Sequence, residues 1–383
     1  MRFPKTRKKP KVLIALNSAW NLVNFRSGLI RALVFSGYEV VATAPLDEYA
    51  SSVVGLGCHF IPLRLDKKGT HPGRDLLLLW RFYKLLRRQQ PEIYLSYTIK
   101  PNIYGSLAAH LLRIPVINNV AGLGIVFATE TMLTRLVRGL YRLVLSRSAK
   151  VFFQNGDDRK MFVAGGLVPH SVAECLPGSG IDLAKFSPLP FTRRGKVRFL
   201  LIARMLWDKG IGEYVEAARI LKTRSVNADF ALLGFLDVEN PNAISRKQME
   251  TWTEEGVVHY LGVSDDVRIE IAAADCVVLP SYYREGTPRA LLEAAAMGRP
   301  IITTDSVGCR EVVDDGVNGY LCRPRDAYDL ADKMARIEKL SIGELELMGT
   351  SGRKKMESEF DERIVINKYL EEIASVLKQQ KRL

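Results

Sequence analysis

The chain has 383 residues, of which 47% are hydrophobic and 25% charged; that length and balance exclude wholesale disorder and give room for two cored domains. Lysine and arginine exceed the acids by 55 to 42, a net charge of +13, which points to a polyanionic partner: nucleic acid, a phosphorylated ligand or an anionic membrane surface. The five cysteines (Cys58, Cys175, Cys276, Cys309, Cys322) form no C-x-x-C pair and the five histidines show no H-x-x-x-H spacing, so a disulfide framework, a zinc ribbon and histidine-based metal catalysis have no support, and a reducing compartment fits.

In chain order, residues 1–11 are basic, and the apolar run 12–16 is too short for a secretory signal and reads as a strand. No run of about 18 apolar residues occurs, so no membrane-spanning helix is expected. Residues 17–24 read as a polar loop and 25–35 as a helix stopped by Gly37. Further strands are expected at 38–42, 93–96, 115–117 and 151–153, with helices at 76–88, 104–112 and 133–145. Asp157 and Asp158 open another helix as its N-terminal acids. Residues 187–196 hold two prolines, a glycine and several charges and read as an interdomain linker. Strands then resume at 197–203, 229–233, 275–279 and 300–304, with a helix at 212–222 and a basic C-terminal helix from 362. Strands alternating with helices of this length indicate βαβ units. The expected fold class is α/β, as two doubly wound, Rossmann-like domains over 1–190 and 191–360, with 361–383 a helix packing back toward the first.

In open parallel sheets, ligands bind beyond the carboxyl ends of the strands. In the second half those ends carry Arg204 with Lys209-Gly210, then Gly234, then the run from Pro280 to Pro288, then Asp305 to Gly308. Thr287 suits an N-cap and Pro288 a first helical position, for a helix ending at Gly298. Such a helix start suits a phosphate. Glu285, in the loop before it, can face a sugar, and Glu293, two turns in, can reach vicinal hydroxyls such as those of a ribose. Arg204 and Lys209 add a fork and a point charge for a diphosphate. Together these residues describe a nucleotide-diphosphate-sugar site. Tyr282 and Tyr283 can stack on the donor or pack, and Gly298-Arg299-Pro300 reads as a helix stop and strand start.

The run Glu285-Gly286-Thr287-Pro288-Arg289-Ala290-Leu291-Leu292-Glu293-Ala294 resembles the E-G-x-P-x-x-x-x-E-A signature of retaining glycosyltransferases of family 4, which have the GT-B fold. Asp314, Gly316, Asn318 and Gly319, and the Arg204…Lys209-Gly210 pair, are similar to the same family. The resemblance implies sugar transfer from a nucleotide donor with retention, across a cleft between two facing domains. It implies that Arg204 and Lys209 hold the diphosphate, Glu293 the ribose, and Glu285 the donor sugar, with Gly286, Thr287, Pro288 and Gly234 around the donor. It also implies an acceptor held by the first domain. There, the loops Thr98–Gly105 and Asn118–Gly124 resemble bacterial members that extend sugars on undecaprenyl diphosphate, notably those adding N-acetylgalactosamine or a related hexose. Lys100, Asn118 and Asn119 are then the acceptor-side residues, with Lys100 either meeting the lipid diphosphate or facing solvent.

Two departures bear on the mechanism. Where many members carry Gly-Gly after the first strand this chain has Asn24-Phe25-Arg26 and then Gly28, so no phosphate contact is expected there. Where many carry a histidine it has Asn118 and Asn119, so no histidine-assisted step is expected. The departing diphosphate itself then takes the acceptor proton, supported by Arg204, Lys209 and the helix start.

From 131 to 150 there are five basic residues (Arg135, Arg138, Arg142, Arg147, Lys150) and no acid, with Leu133, Leu136, Val137, Leu140, Tyr141 and Val144 at helical spacing. This reads as a packed helix with a solvated face, or as a basic amphipathic helix lying on an anionic bilayer with Arg135, Arg138 and Arg142 in contact. The resulting expectation is a cytoplasmic, peripherally membrane-bound hexosyltransferase. Its donor is a UDP-hexose or UDP-N-acetylhexosamine, its acceptor is lipid-linked, and no metal cofactor is implied because no D-x-D stands at a strand end. A nucleotide-sugar epimerase on the same architecture is the rival enzyme. A nucleic-acid-binding protein has charge but no motif in its favour, and a non-catalytic sugar-nucleotide sensor stays open.

Overall fold

The computed structural model describes residues 9–66, 71–122, 131–191 and 195–380, apart from the side chain of Leu133. The basic residues 1–8, residues 123–124 of the expected acceptor loop and residues 192–194 of the expected linker lie outside the described residues. The chain divides into two compact units, Met1–Ser179 with Arg363–Leu383, and Gly180–Glu362.

The first unit is a parallel sheet of β1 (Lys11–Ala15), β2 (Glu39–Ala44), β3 (His59–Pro62), β4 (Ile93–Tyr97), β5 (Val116–Val120), β6 (Lys150–Phe153) and β7 (Ala173–Cys175). Their spatial order is β3-β2-β1-β4-β5-β6-β7. The helices are α1 (Ala19–Phe35), α2 (Ala50–Val54), α3 (Pro72–Gln89), α4 (Ser106–Leu111), α5 (Met132–Leu145) and α6 (Gly156–Ala164). Both faces of a parallel sheet are covered, so its strands are apolar on both sides. Val12, Ile14, Ala42 and Ile117 pack with α1; Leu13, Ala15, Tyr94 and Val116 pack with Leu78, Phe82 and Leu86 of α3.

Three expectations change here. Helix α1 starts at Ala19, not at 25, because its first amides find partners the sequence does not reveal: Asp47 Oδ2 accepts from Ala19 N at 2.9 Å and Trp20 N at 3.3 Å, and Ser18 Oγ from Asn21 N at 3.2 Å. Asn24, Phe25, Arg26 and Gly28 therefore lie within α1. The strand expected at 115–117 runs to Val120, which places Asn118 and Asn119 in β5 rather than in a loop. The helix expected from 104 opens with a wide turn over Pro101–Gly105 before α4.

The second unit is a parallel sheet of β8 (Val197–Ile202), β9 (Ala228–Leu233), β10 (His259–Tyr260), β11 (Cys276–Leu279), β12 (Ile301–Thr304) and β13 (Gly319–Cys322), in the order β10-β9-β8-β11-β12-β13. Its helices are α7 (Ile211–Thr223), α8 (Arg246–Glu254), α9 (Val267–Ala273), α10 (Arg289–Ala296), α11 (Ala327–Lys339) and α12 (Ile342–Lys355). The Asp314–Gly319 segment, read as part of a donor signature, is a turn that starts β13: buried Asn318 accepts from Asp314 N at 2.7 Å and donates to Val312 O at 3.0 Å.

The boundary between units falls at 179/180 rather than at 190/191. Ile181 and Phe186 are buried in the second unit's core. Arg299, read only as part of a helix stop, is fully buried; it donates to Pro190 O (3.0 Å), Ile271 O (3.2 Å) and Ala272 O (2.8 Å), and stacks over Phe191 at 4.1 Å. A proline-rich stretch that looks like a linker is thus fastened to the second unit by one guanidinium. The last helix, α13 (Glu362–Gln380), places Val365, Tyr369, Ile373 and Val376 in the core of the first unit.

Ile373→Ala is expected to cost about 2–5 kcal/mol, the range for emptying a buried aliphatic site. In hydrogen exchange the loss of protection should fall on β1, β4 and β5 and spare the strands of the second unit.

Candidate functional site

In the second sheet the chain direction of travel reverses between β8 and β11, the switch point at which ligands bind parallel sheets. The loops after these neighbouring strands are clamped together. Asp208 O accepts from Tyr282 N at 3.1 Å and Tyr283 N at 3.0 Å. Gly210, at φ 75°, leaves no room for a Cβ, which would stand 2.1 Å from Pro280 O.

The clamp brings two of the expected site residues into contact. Lys209 Nζ pairs with Glu285 Oε1, both side chains being 12% exposed. Ser281 Oγ donates to the same carboxylate oxygen at 2.9 Å, and the Lys209 ammonium lies 5.0 Å from the ring centre of Tyr283. Ser281 is fully buried, and its carbonyl accepts from Thr304 and, at 3.0 Å, from Ser306 at the end of β12. Ser281 carried no sequence signal beyond its place after a strand. Tyr282 stands under Arg325, 4.4 Å from the ring centre, so both tyrosines pack against cations of the protein.

Helix α10 starts one residue later than expected, with Pro288 rather than Thr287 as its N-cap. The proline holds φ −65° with an extended ψ of 118°, and its carbonyl accepts from Leu291 N at 3.2 Å; the residue before a proline is itself pushed out of the helical region. Gly286 and Pro288 are buried, and Thr287 half-buried, beside this helix start. Glu293 is gripped by Arg289, with Nη2 at 3.2 Å and Nε at 3.3 Å, and Arg289 also donates to Gly180 O. Arg204 is exposed and its guanidinium has no partner among the described residues. Gly234, at φ 138°, passes so close to the strand before Arg204 that a Cβ would stand 1.9 Å from Ala203 O. Among the described residues no group of three or more His, Cys, Asp and Glu side chains is gathered as a metal site.

The first-unit residues are placed differently from expectation. Asn118 is fully buried: its amide donates to Ser96 Oγ (2.7 Å) and Ser106 Oγ (2.9 Å), and its carbonyl accepts from Ser148 Oγ (2.6 Å). Asn119, also buried, donates to Tyr369 Oη at 3.1 Å and accepts from Gln154. Both knit β5 to its neighbours and offer no side chain to an acceptor. Lys100 does not face solvent; its ammonium pairs with Asp75 at 2.9 Å. In α5, Val137, Tyr141 and Val144 face the core, whereas Met132, Leu136 and Leu143 are exposed beside the exposed Arg135, Arg142 and Arg147; Arg138 is half-buried. Among the described residues no helix is long and apolar enough to cross a membrane.

Residues 24–177 match the glycosyl transferase 4-like domain and residues 196–339 the glycosyl transferases group 1 family. The chain is similar to the N,N'-diacetylbacillosaminyl-diphospho-undecaprenol alpha-1,3-N-acetylgalactosaminyltransferase of Campylobacter jejuni, 30% identical over 94% of this chain and 96% of that one. The chain is a group 1 glycosyltransferase. Another relative of this glycosyltransferase is the UDP-Gal:alpha-D-GlcNAc-diphosphoundecaprenol alpha-1,3-galactosyltransferase of Escherichia coli, 24% identical over 75% of this chain and 76% of that one. Two solved structures share its GT-B fold. A glycosyltransferase from Rickettsia africae has a TM-score of 0.80 at 16% identity, covering 97% of this chain and 100% of that one. Anabaena Alr3699/HepE, in complex with UDP and glucose, has a TM-score of 0.76 at 16% identity, covering 96% and 99%.

Burial lifts the Glu293 carboxyl of this transferase above its ordinary value, against the pull of Arg289. A raised folded-state value means that the ionised acid weighs on the fold at neutral pH and that the burden is relieved as pH falls through that value. Glu293→Gln is therefore expected to keep or raise the melting temperature at neutral pH, with the difference from the parent shrinking in acid. A calorimetric pH series on both proteins checks the sign.

Proposed function

We propose that this glycosyltransferase moves a hexose or N-acetylhexosamine from a UDP-sugar, with retention at the anomeric carbon, to a sugar carried on undecaprenyl diphosphate during assembly of a bacterial polysaccharide. The observation that carries this reading is the likeness over nearly the whole chain to an enzyme named for a diphospho-undecaprenol acceptor. The nucleotide half is supported by the cations and acids at the β8–β11 switch point. No observation favours the epimerase.

In this reading Arg204 and Lys209 hold the diphosphate, Glu293 the ribose, and Glu285 faces the donor sugar, with Gly234 and the Gly286–Thr287–Pro288 turn lining the donor. Lys209 exchanges its carboxylate partner for the more highly charged diphosphate, which frees Glu285 to accept sugar hydroxyls. As the glycosidic bond to the diphosphate breaks, negative charge grows on its oxygens. Arg204, Lys209 and the amides at the start of α10 are aimed at that charge, and electrostatic support of this kind is a large contribution to catalysis. The departing diphosphate takes the acceptor hydroxyl's proton as the new bond forms on the same face. The chain's own residues supply the charge stabilisation in this scheme, and no metal is invoked.

Met132, Leu136 and Leu143 with Arg135, Arg142 and Arg147 support a second element of the reading, peripheral contact with the cytoplasmic membrane surface. Arg135→Glu with Arg142→Glu is expected to lower sedimentation with phosphatidylglycerol vesicles and to leave turnover of a detergent-dispersed acceptor unchanged.

The test of the main reading is turnover of a panel of UDP-sugars with bacterial lipid extract, followed by UDP release and mass analysis of the lipid. One hexose or N-acetylhexosamine added to a lipid diphosphate is the expected product, and Arg204→Ala should lower kcat about a hundred- to a thousandfold. Absence of UDP release with every donor would sink the UDP assignment.

A further inference from the structure

Helix α10 opens with a residue that does not suit a helix start. Arg289 is its first residue, where the helix dipole is positive, and an arginine four residues before a glutamate is the weaker of the two orders of such a pair. Local helix stability therefore does not account for it. Its contacts point elsewhere. Nη2 and Nε hold Glu293 at 3.2 and 3.3 Å, and both bonds fall on Oε1; Oε2 has no hydrogen-bond partner among the described residues. Nη1 donates to Gly180 O. The two side chains are only 17% and 13% exposed, a setting in which charged hydrogen bonds are strong and directional.

Gly180 is an unusual partner. The chain passes between the units at 179/180 and again at 362/363, and within the second unit these two points lie side by side. Ile181 N donates to Phe360 O at 2.8 Å, and Glu362 N to Ile181 O at 3.0 Å. Gly180 stands at φ 71° and has no room for a Cβ against Glu362 Cα, so only glycine allows the two segments this approach. One guanidinium thus ties the paired entry and exit segments of the second unit to the helix that carries Glu293.

We propose that Arg289 is a positioning residue for the donor nucleotide: it fixes Glu293 through Oε1 so that Oε2 meets the ribose hydroxyls, and it carries the effect of that contact to the paired segments at Gly180–Ile181 and Phe360–Glu362. The proposal rests on the donor reading above, in which Glu293 holds the ribose. A ribose seated on Oε2 orders the carboxylate, the carboxylate orders the guanidinium, and the guanidinium then holds Gly180 O for more of the time. Such coupling is reciprocal, so loosening the paired segments weakens the nucleotide in turn.

The probes are UDP and 2′,3′-dideoxyuridine diphosphate, which keeps the charge and loses the ribose hydroxyls. Their binding to the full chain is measured by calorimetry, with hydrogen exchange followed in the peptides that contain Ile181 and Glu362. The parent is expected to prefer UDP and to exchange more slowly in both peptides once UDP is bound. Arg289→Met keeps the length of the side chain without its donors; it should weaken UDP about ten- to a hundredfold, the worth of charged hydrogen bonds, leave the dideoxy compound little changed, and remove the exchange response. Arg289→Lys keeps the charge but not the fork; it should recover part of the UDP affinity and none of the exchange response, and it repeats the comparison should the methionine variant melt early. An equal loss for both nucleotides in Arg289→Met, or an exchange response that survives in either variant, would overturn the proposal while leaving Glu293 at the ribose. A parent that binds both nucleotides equally would strike the ribose assignment itself, and the proposal with it.

Discussion

A backbone contact that only glycine permits sets the geometry of the second unit's site. Gly210 lies against the Pro280 carbonyl, and that approach lets the loop after β8 share hydrogen bonds with the loop after β11 through Asp208 O. Lys209 and Glu285, 76 residues apart in sequence, become neighbours as a result. A parallel sheet brings the carboxyl ends of its strands to one edge, but topology alone brings loops only to the same neighbourhood. The clamp fixes an ammonium and a carboxylate against each other in a half-buried setting, where an unpaired charge would be costly. Ser281, buried and held from β12, then steadies the carboxylate from behind.

Both units hold carboxylates against groups that attract anions. Glu285 occupies Lys209 in a loop where Arg204 stays exposed and, among the described residues, unpaired, which in the proposed reading leaves a cation for the donor's diphosphate. In the first unit Asp47 covers the start of α1 and Asp75 pairs with Lys100. The net charge of +13 is therefore a poor guide to where anions bind: what matters is which cations lack an internal partner.

The alternation of strands and helices was legible because parallel strands buried on both faces are short apolar runs. The places of Arg204, Lys209 and Glu285 beyond strand ends, and of Glu293 in the helix that follows, were legible from their spacing. Long-range hydrogen bonds were not legible. Asn118 and Asn119 look like loop residues until Ser96, Ser106, Ser148 and Tyr369 are seen to satisfy them inside a strand. The early start of α1 depends on Asp47, 28 residues away from Ala19. The prolines at 188 and 190 resemble a linker because nothing local announces Arg299, 109 residues beyond Pro190. In each case one side chain from a distant segment pairs with the backbone or a polar group and reverses what composition suggests.

The first unit is built from both ends of the chain, while the second is one continuous segment. During synthesis the strands β1 to β7 leave the ribosome long before α13 exists. The sheet face that will receive Val365, Tyr369, Ile373 and Val376 stays bare while the whole second unit is made. Burying each such side chain is worth roughly 1.5–3 kcal/mol, so the early sheet lacks a share of stability comparable to that of a whole small domain. Synthesis of α13 is thus a folding event for this chain: that helix closes a core opened about 350 residues earlier, at Lys11, and a nascent chain stalled before it would present an apolar sheet to chaperones.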